Sequence, residues 1–203
     1  IAEHSGAKAL IVQDDLAPVV EPLRSELAIP RASWIRIGDA PVAGWSDYEA
    51  LLAKASDREP DVRVKAEDAW ALMYTSGTTG RPKGAMLNHR GSALISLVTA
   101  LDMGLTADDT ALLVMPLCHA NSLYFAFTFT HLGATCVIDD RRSFDPEALL
   151  ATLASNRATF TSLVPTHYVM ALGLPAAVRA RHDVACVRKL MISSAPARKD
   201  TKL

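Results

Sequence analysis

Short apolar runs alternate along the chain with longer segments in which apolar residues recur at helical spacing. This alternation is typical of repeated strand and helix units, which build mostly parallel sheets flanked by helices. The predicted fold class is therefore α/β. The predicted strands lie at residues 7–12, 33–37, 69–74, 111–115, 135–139, 159–164 and 188–193. An irregular helix broken by prolines is predicted at residues 16–27, and further helices begin near residues 46, 88, 119, 145 and 166.

Residues that commonly start and end helices support this pattern. Asn88 can cap a helix that Gly104 ends, and Asp145 precedes a proline and a glutamate, which is a typical helix start. Ser46 is predicted to cap a short helix, because Glu49 three residues later completes a capping box. The polar run at residues 56–65 is predicted to be a linker. Two parts follow: a partial first α/β subdomain with its linker at 1–66, and a second α/β subdomain at 67–203.

Composition and charge exclude several classes of protein. Half of the 203 residues are hydrophobic, which is enough for a globular core and excludes a disordered chain. The net charge of −1 and the scattered basic residues exclude a general attraction to nucleic acid. Three cysteines without metal-ligand spacing predict neither a disulfide framework nor a metal site, and they fit a cytoplasmic protein. The apolar stretch at 123–132 is too short to cross a bilayer and is predicted to be a core helix.

The segment at residues 74–84, YTSGTTGRPKG, concentrates groups that bind polyphosphate. Its glycines allow close backbone approach, its hydroxyls donate hydrogen bonds, and Lys83 adds a cation. Because an apolar run precedes it, we expect the loop to leave a sheet strand and lead into the helix capped by Asn88. It does not fit the pattern G-x-x-x-x-G-K-[ST], since Pro82 precedes the lysine and Gly84 follows it. The residues predicted to bind phosphate are Thr75, Ser76, Gly77, Thr78, Thr79, Gly80 and Lys83.

Two further segments follow predicted strands and carry candidate chemistry. His119 comes shortly after the strand at 111–115, at the sheet edge where we also expect the glycine-rich loop to emerge. Ser193, Ser194, Ala195 and Pro196 follow the last predicted strand in the same way. Taken alone, a histidine at such a position is more often a helix-start or core residue, and the last segment could be an ordinary turn.

The run at 72–84 resembles the signature loop of the adenylate-forming superfamily, which includes acyl-CoA synthetases, adenylation domains of peptide synthetases and firefly-type luciferases. The resemblance extends to His119, which would position the substrate carboxylate, and to residues 193–196, which would line the pocket between adenine and the acyl group. Family members often have Gly-Gly-Ala-Pro or Ser-Gly-Ala-Pro in this last segment, so two serines are a departure. The segments 117–125 and 144–146 look most like those of bacterial fatty-acyl-CoA ligases.

The resemblance implies an enzyme that uses ATP and Mg to convert a carboxylic acid, here a fatty acid, into an acyl-adenylate and then transfers it to CoA. Lys83 would hold the β and γ phosphates. We expect the chain to be the middle of a large N-terminal domain, with the magnesium ligand, the ribose-binding aspartate and the small C-terminal domain lying beyond Leu203. The chain by itself is then expected to be inactive. Two alternatives remain: an adenylation domain that loads an amino or aryl acid onto a carrier protein, and a noncatalytic nucleotide-binding or assembly module.

Overall fold

The structure is a computed structural model that describes residues 1–75 and 82–196. The chain divides into two compact units, Ile1–Leu87 and Asn88–Leu203. Both units contain parallel sheets and helices, which confirms the predicted α/β class. The division into domains at residues 66 and 67 stays a prediction about the larger organisation of the protein.

The first unit contains a three-stranded parallel sheet in the order β1, β2, β3. Its buried centre is Trp34, which is 1% exposed and packs edge-on against Trp45. The guanidinium of Arg24 lies over both indole rings, 5.2 and 4.8 Å from their centres. The elements are α1 (Ala2–Ser5), β1 (Leu10–Gln13), α2 (Ala17–Val20), β2 (Trp34–Ile37), β3 (Ser46–Asp47), α3 (Tyr48–Leu52), β4 (Ala69–Thr75) and β5 (Lys83–Asn88). The interrupted helix predicted at residues 16–27 is confirmed as α2 between two short 3-10 turns.

The predicted cap of the short helix α3 is wrong by one residue. Asp47 is the N-cap, and its carboxylate accepts a hydrogen bond from the backbone N–H of Ala50 at 2.7 Å. Ser46 lies in β3, and its hydroxyl donates to the carbonyl of Ala32. Pairing with β2 therefore holds Ser46 in the sheet and moves the start of the helix onward.

The element that follows the glycine-rich loop also differs from the prediction. The loop joins β4 to β5, and these two strands pair with each other in a sheet of their own. It does not lead from the main parallel sheet into a helix. Periodicity could not reveal β5, because its burial alternates weakly and most of its residues are exposed. Gly84 in β5 lies against Tyr74 of β4, where a Cβ atom would come within 3.1 Å of the tyrosine ring.

The second unit is built on a four-stranded parallel sheet in the order β7, β6, β8, β9. Consecutive side chains of β6 point to opposite faces of the sheet. On one face, Ala111 and Leu113 pack in a core with Phe125 and Phe129. On the other face, Leu112 packs in a second core with Leu149 and Leu153. Helices therefore cover both faces of this sheet, as the strand and helix alternation predicted. The elements are α4 (His89–Met103), β6 (Thr110–Leu113), α5 (Ala120–His131), β7 (Thr135–Ile138), α6 (Pro146–Ser155), β8 (Phe160–Leu163), α7 (Pro165–Leu172), α8 (Ala176–Arg179) and β9 (Lys189–Ile192).

Helix α4 begins and ends where the sequence predicted, but it buries an unexpected face. The Asn88 side chain accepts from the backbone N–H of Gly91, and Gly104 ends the helix in the left-handed conformation at φ 57°. The buried residues are Ser92, Ser96 and Ala100, whose small side chains allow α4 to approach α5 closely. The regularly spaced apolar residues Leu94, Val98 and Leu101 are exposed within this chain.

A buried carboxylate ties the amino ends of the central strands together. Asp109, just before β6, accepts hydrogen bonds from the Thr159 hydroxyl at 2.6 Å and the Thr106 backbone N–H at 2.9 Å. Arg188 and Lys189, at the start of β9, place their charges 2.5 and 3.5 Å from the same carboxylate. Burial opposes ionisation of Asp109, but these hydrogen bonds and charges outweigh it and lower its pKa to about 2.

Candidate functional site

The opposite, carboxyl edge of the four-stranded sheet carries a cavity of about 360 Å³. Ligands of parallel α/β sheets usually bind at this edge, because the loops that follow the strands converge there. The segment before α5 and the segment after β9 form its polar side, whereas helices α4 and α5 form much of the rest. The cavity is lined by Ile95, Thr99, His119, Ala120, Asn121, Tyr124, Phe125, Thr128, Met191, Ser193 and Ser194.

His119 is held at the cavity by its position at the start of α5. It is the N-cap residue, and its Nδ1 accepts a hydrogen bond from the backbone N–H of Asn121 at 3.4 Å. An imidazole nitrogen that accepts carries no proton, so the proton of the neutral ring lies on Nε2. His119 can therefore offer a hydrogen-bond donor to an oxygen atom of a ligand.

Asn121 connects three segments of the sheet edge. Its Nδ2 donates to the hydroxyl of Ser162 in β8 at 2.7 Å and to the hydroxyl of Ser193 after β9 at 2.5 Å. Ser162 is 3% exposed, so the network is anchored in the core of the sheet. The carboxyl ends of β8 and β9 are thus fixed to the start of α5 by one side chain.

Ser194 adopts a backbone conformation that non-glycine residues rarely take. Its φ is 69°, in the left-handed region, although it has a Cβ atom. This is the second of the two serines at which the sequence departs from the glycine-containing patterns of the resembling family. The turn after β9 therefore keeps a glycine-type conformation while presenting a hydroxyl group on the cavity.

The remaining cavity wall is mainly apolar and aromatic. Tyr124 and Phe125 contribute rings from α5, and Met191 contributes from β9. One polar contact lies in this wall: the hydroxyl of Thr128 donates to that of Ser96 at 3.3 Å, and both side chains are buried. Such a wall suits the apolar tail of a ligand, with polar groups at the sheet edge to orient its head.

Three of the residues predicted from the sequence line this cavity. His119, Ser193 and Ser194 share the cavity, whereas Ala195 and Pro196 are exposed residues just beyond it. Asn121 was missed as a member of the site. The available signal was an amide side chain two residues after the candidate histidine, in the segment that follows a predicted strand.

The predicted phosphate-binding residues are only partly described. Thr75 is the last residue of β4 and Lys83 the first of β5, and both are exposed. Tyr74, beside them, hydrogen-bonds through its hydroxyl to Nδ1 of His4 at 2.7 Å. Five predicted residues lie outside the described part of the chain: Ser76, Gly77, Thr78, Thr79 and Gly80.

Residues 1–75 and 82–196 contain neither a metal cluster nor a membrane-spanning helix. No group of three His, Cys, Asp or Glu side chains is arranged there to hold a metal ion. No helix in that part of the chain combines the length and apolar character needed to cross a membrane.

The family follows from a comparison with known proteins. The sequence profile of AMP-binding enzymes matches residues 1–202. The chain belongs to the AMP-binding enzyme family. This is the adenylate-forming superfamily that the glycine-rich loop indicated, so the resemblance is confirmed.

The curated relatives include ligases for both fatty and aryl acids. A long-chain-fatty-acid–CoA ligase of Thermus thermophilus is 35% identical over 168 residues, which cover 82% of this chain and 30% of that protein. An indoleacetate–CoA ligase of Aromatoleum aromaticum is 39% identical over 140 residues, covering 68% of this chain and 27% of that protein. The chain thus spans less than a third of the length of these relatives.

Solved structures show the same fold. The anthranilate CoA ligase in complex with anthranoyl-AMP has a TM-score of 0.87 at 24% identity, covering 96% of this chain and 37% of that one. A long-chain-fatty-acid–CoA ligase of Archaeoglobus fulgidus has a TM-score of 0.82 at 23% identity, covering 99% and 39%. Both units of the chain therefore belong to a partial large domain of the adenylate-forming type.

Proposed function

We propose that the chain is part of an ATP-dependent ligase that converts a carboxylic acid with an apolar tail into an acyl-adenylate and transfers the acyl group to CoA. The observation that carries this proposal is the cavity at the carboxyl edge of the four-stranded sheet, which His119, Ser193 and Ser194 share. Membership of the AMP-binding enzyme family supports the reaction class.

The two sides of the cavity suit the two ends of an acid substrate. The His119 Nε2–H and the serine hydroxyls offer donors for a carboxylate or for the acyl phosphate that replaces it. Tyr124, Phe125 and Met191 offer apolar surface for the tail. A fatty acid, as predicted from the sequence, and an aryl acid both meet this description, and the relatives include ligases for both classes.

In this proposal the glycine-rich loop binds the polyphosphate of ATP. Lys83 would place its ammonium at the β and γ phosphates, where negative charge grows as pyrophosphate leaves. Magnesium, when bound, would neutralise part of the same charge. The described residues do not include an acidic cluster that would hold it.

A panel of acids tests the proposal. The full-length enzyme that contains this chain is incubated with ATP, CoA and saturated, unsaturated and aryl acids, and the release of AMP and pyrophosphate is measured with the thioester product. We expect acid-dependent release and thioester formation with at least one apolar acid. Acyl transfer to a phosphopantetheinyl carrier protein but not to CoA would favour the carrier-loading alternative. Nucleotide binding without turnover of any acid would favour a noncatalytic module.

A further inference from the structure

The hydrogen-bonding capacity of Asn121 is largely used within the protein. A side-chain amide has two N–H donors, and those of Asn121 go to Ser162 and Ser193. The Ser193 oxygen therefore acts as an acceptor toward Asn121, which leaves its own hydrogen to be donated elsewhere. The oxygen of Ser194 lies 3.5 Å away, at the far limit of a hydrogen bond.

We propose that Asn121 is a positioning residue that commits the Ser193 hydroxyl to donate into the cavity, toward an acceptor atom of the bound acid or its adenylate. This inference rests on the proposed function, because it assigns Ser193 to the same ligand. Of the two family patterns, Ser-Gly-Ala-Pro has a serine at position 193 that Asn121 could orient, whereas Gly-Gly-Ala-Pro has no hydroxyl there.

The surroundings of Asn121 make its orientation well defined. Its backbone N–H is bound to His119, so its main chain is fixed at the first turn of α5. Its side chain is held from the other side by the buried hydroxyl of Ser162. Because both anchors belong to the protein, the Ser193 oxygen is held as an acceptor toward Asn121 before a ligand arrives. Such preorganisation lowers the cost of ordering a donor on binding.

Without Asn121, the hydrogen bond from the Ser193 hydroxyl to the ligand is expected to weaken. In Asn121→Ala the Ser193 hydroxyl can rotate away from the ligand, and kcat/KM for the acid is expected to fall about twofold to tenfold. Ser193→Ala removes the donor itself and is expected to cause a loss of the same size or greater. Ser162→Ala is the matched control, because it removes the other hydrogen bond of Asn121 at a buried position outside the cavity lining.

A double-mutant cycle in the full-length enzyme tests whether Asn121 acts through Ser193. Asn121→Ala is made in the unmodified enzyme, in Ser193→Ala and in Ser162→Ala, and kcat/KM for the best acid of the panel is measured with the melting temperature of each variant. We expect the effect of Asn121→Ala on kcat/KM to disappear in Ser193→Ala and to persist in Ser162→Ala. A merely structural role would follow the melting temperature and would not depend on Ser193 in this way.

Three outcomes overturn the inference. Additive effects of Asn121→Ala and Ser193→Ala would show that the two residues act independently. Normal kcat/KM in Asn121→Asp would contradict it as well, because a carboxylate only accepts and would turn the Ser193 hydrogen toward itself; this variant also serves if Asn121→Ala does not fold. Absence of acid-dependent pyrophosphate release in the unmodified enzyme would overturn the proposed function together with the inference, whereas normal turnover with an additive cycle would overturn the inference alone.

Discussion

Ser194 combines a side chain with a backbone conformation that favours glycine. The left-handed region costs a residue with a Cβ atom about 1 to 2 kcal/mol, and a glycine at this position avoids that cost. The greater conformational freedom of glycine in the unfolded chain offsets about half of the stability gained in this way. We therefore expect Ser194→Gly to raise the free energy of unfolding by about 0.5 to 1 kcal/mol, measured by urea denaturation. Ala195→Gly is the control, because its φ is not positive, and it should not stabilise the chain. A destabilised Ser194→Gly would contradict this account.

The carboxylate of Asp109 makes stability depend on pH. Its pKa falls from 3.8 to about 2 on folding, so the ionised form is favoured in the folded chain. The resulting contribution of about 2 kcal/mol is fully present well above pH 3.8 and is lost as the pH falls toward 2. We expect Asp109→Asn to lower the free energy of unfolding by about this amount at neutral pH.

The difference between Asp109→Asn and the unmodified chain should shrink as the pH is lowered through this window, because Asp109 then becomes neutral as well. Urea unfolding monitored by circular dichroism at neutral and acidic pH measures this change. Asp108→Asn is the matched control, since Asp108 is the exposed neighbouring carboxylate. A difference for Asp109→Asn that stays constant with pH would show that charge is not the cause.

Substitution of His119 is expected to impair use of the acid substrate more than binding of ATP. His119→Asn keeps a side chain that can cap α5 but removes the Nε2–H donor. In the full-length enzyme we expect kcat/KM for the acid to fall about tenfold or more, with a smaller change in the KM for ATP. His131→Asn, at the other end of α5, is the control and should leave both constants unchanged. An equal loss in the two variants would rule out a specific role for His119.

At the scale of elements, the start of α6 shows how directly a local signal can fix a helix end. Asp145 accepts from the backbone N–H groups of Glu147 and Ala148 at 2.9 and 3.0 Å, as its place before Pro146 predicted. We expect Asp145→Ala to lower the free energy of unfolding by about 1 kcal/mol, measured by thermal or urea denaturation. Asp145→Ser should recover most of this loss, because a serine hydroxyl can accept the same hydrogen bonds. Equal stability of the alanine and serine variants would contradict the capping role.

In other elements, tertiary contacts override the structure that the local sequence pattern predicts. The spacing of Leu94, Val98 and Leu101 identified α4 as a helix, but close packing against α5 selects the small residues Ser92, Ser96 and Ala100 as its buried face. Ser46 had the residue type of a cap, yet pairing with β2 keeps it in a strand. Strand β5 had no clear period because much of it is exposed, so its pairing with β4 could not be predicted from the sequence pattern.

At the scale of the whole molecule, we expect the chain alone to bind ATP weakly and to catalyse no acid activation. Micromolar affinity requires about −8 kcal/mol, whereas a charge-assisted hydrogen bond supplies about 1.5 to 3 kcal/mol. The chain covers about 30% of its fatty-acid ligase relative, so we do not expect it to supply all the groups that this reaction needs. Calorimetric titration of residues 1–203 with ATP and an assay of acid-dependent pyrophosphate exchange measure both points. Robust exchange by this chain would contradict the prediction.

The amino-acid sequence was sufficient to predict the α/β class, all four strands of the main sheet, several helix ends and the family. These properties depend on residues close together in the chain: apolar runs, caps and the glycine-rich loop. That Asn121, Ser162 and Ser193 form one hydrogen-bond network is visible only in the tertiary structure. Asn121 lies 41 residues from Ser162 and 72 residues from Ser193 in the sequence. The strand order β7, β6, β8, β9 brings them together, and that order is set by packing across the sheet, which no local pattern of side chains encodes.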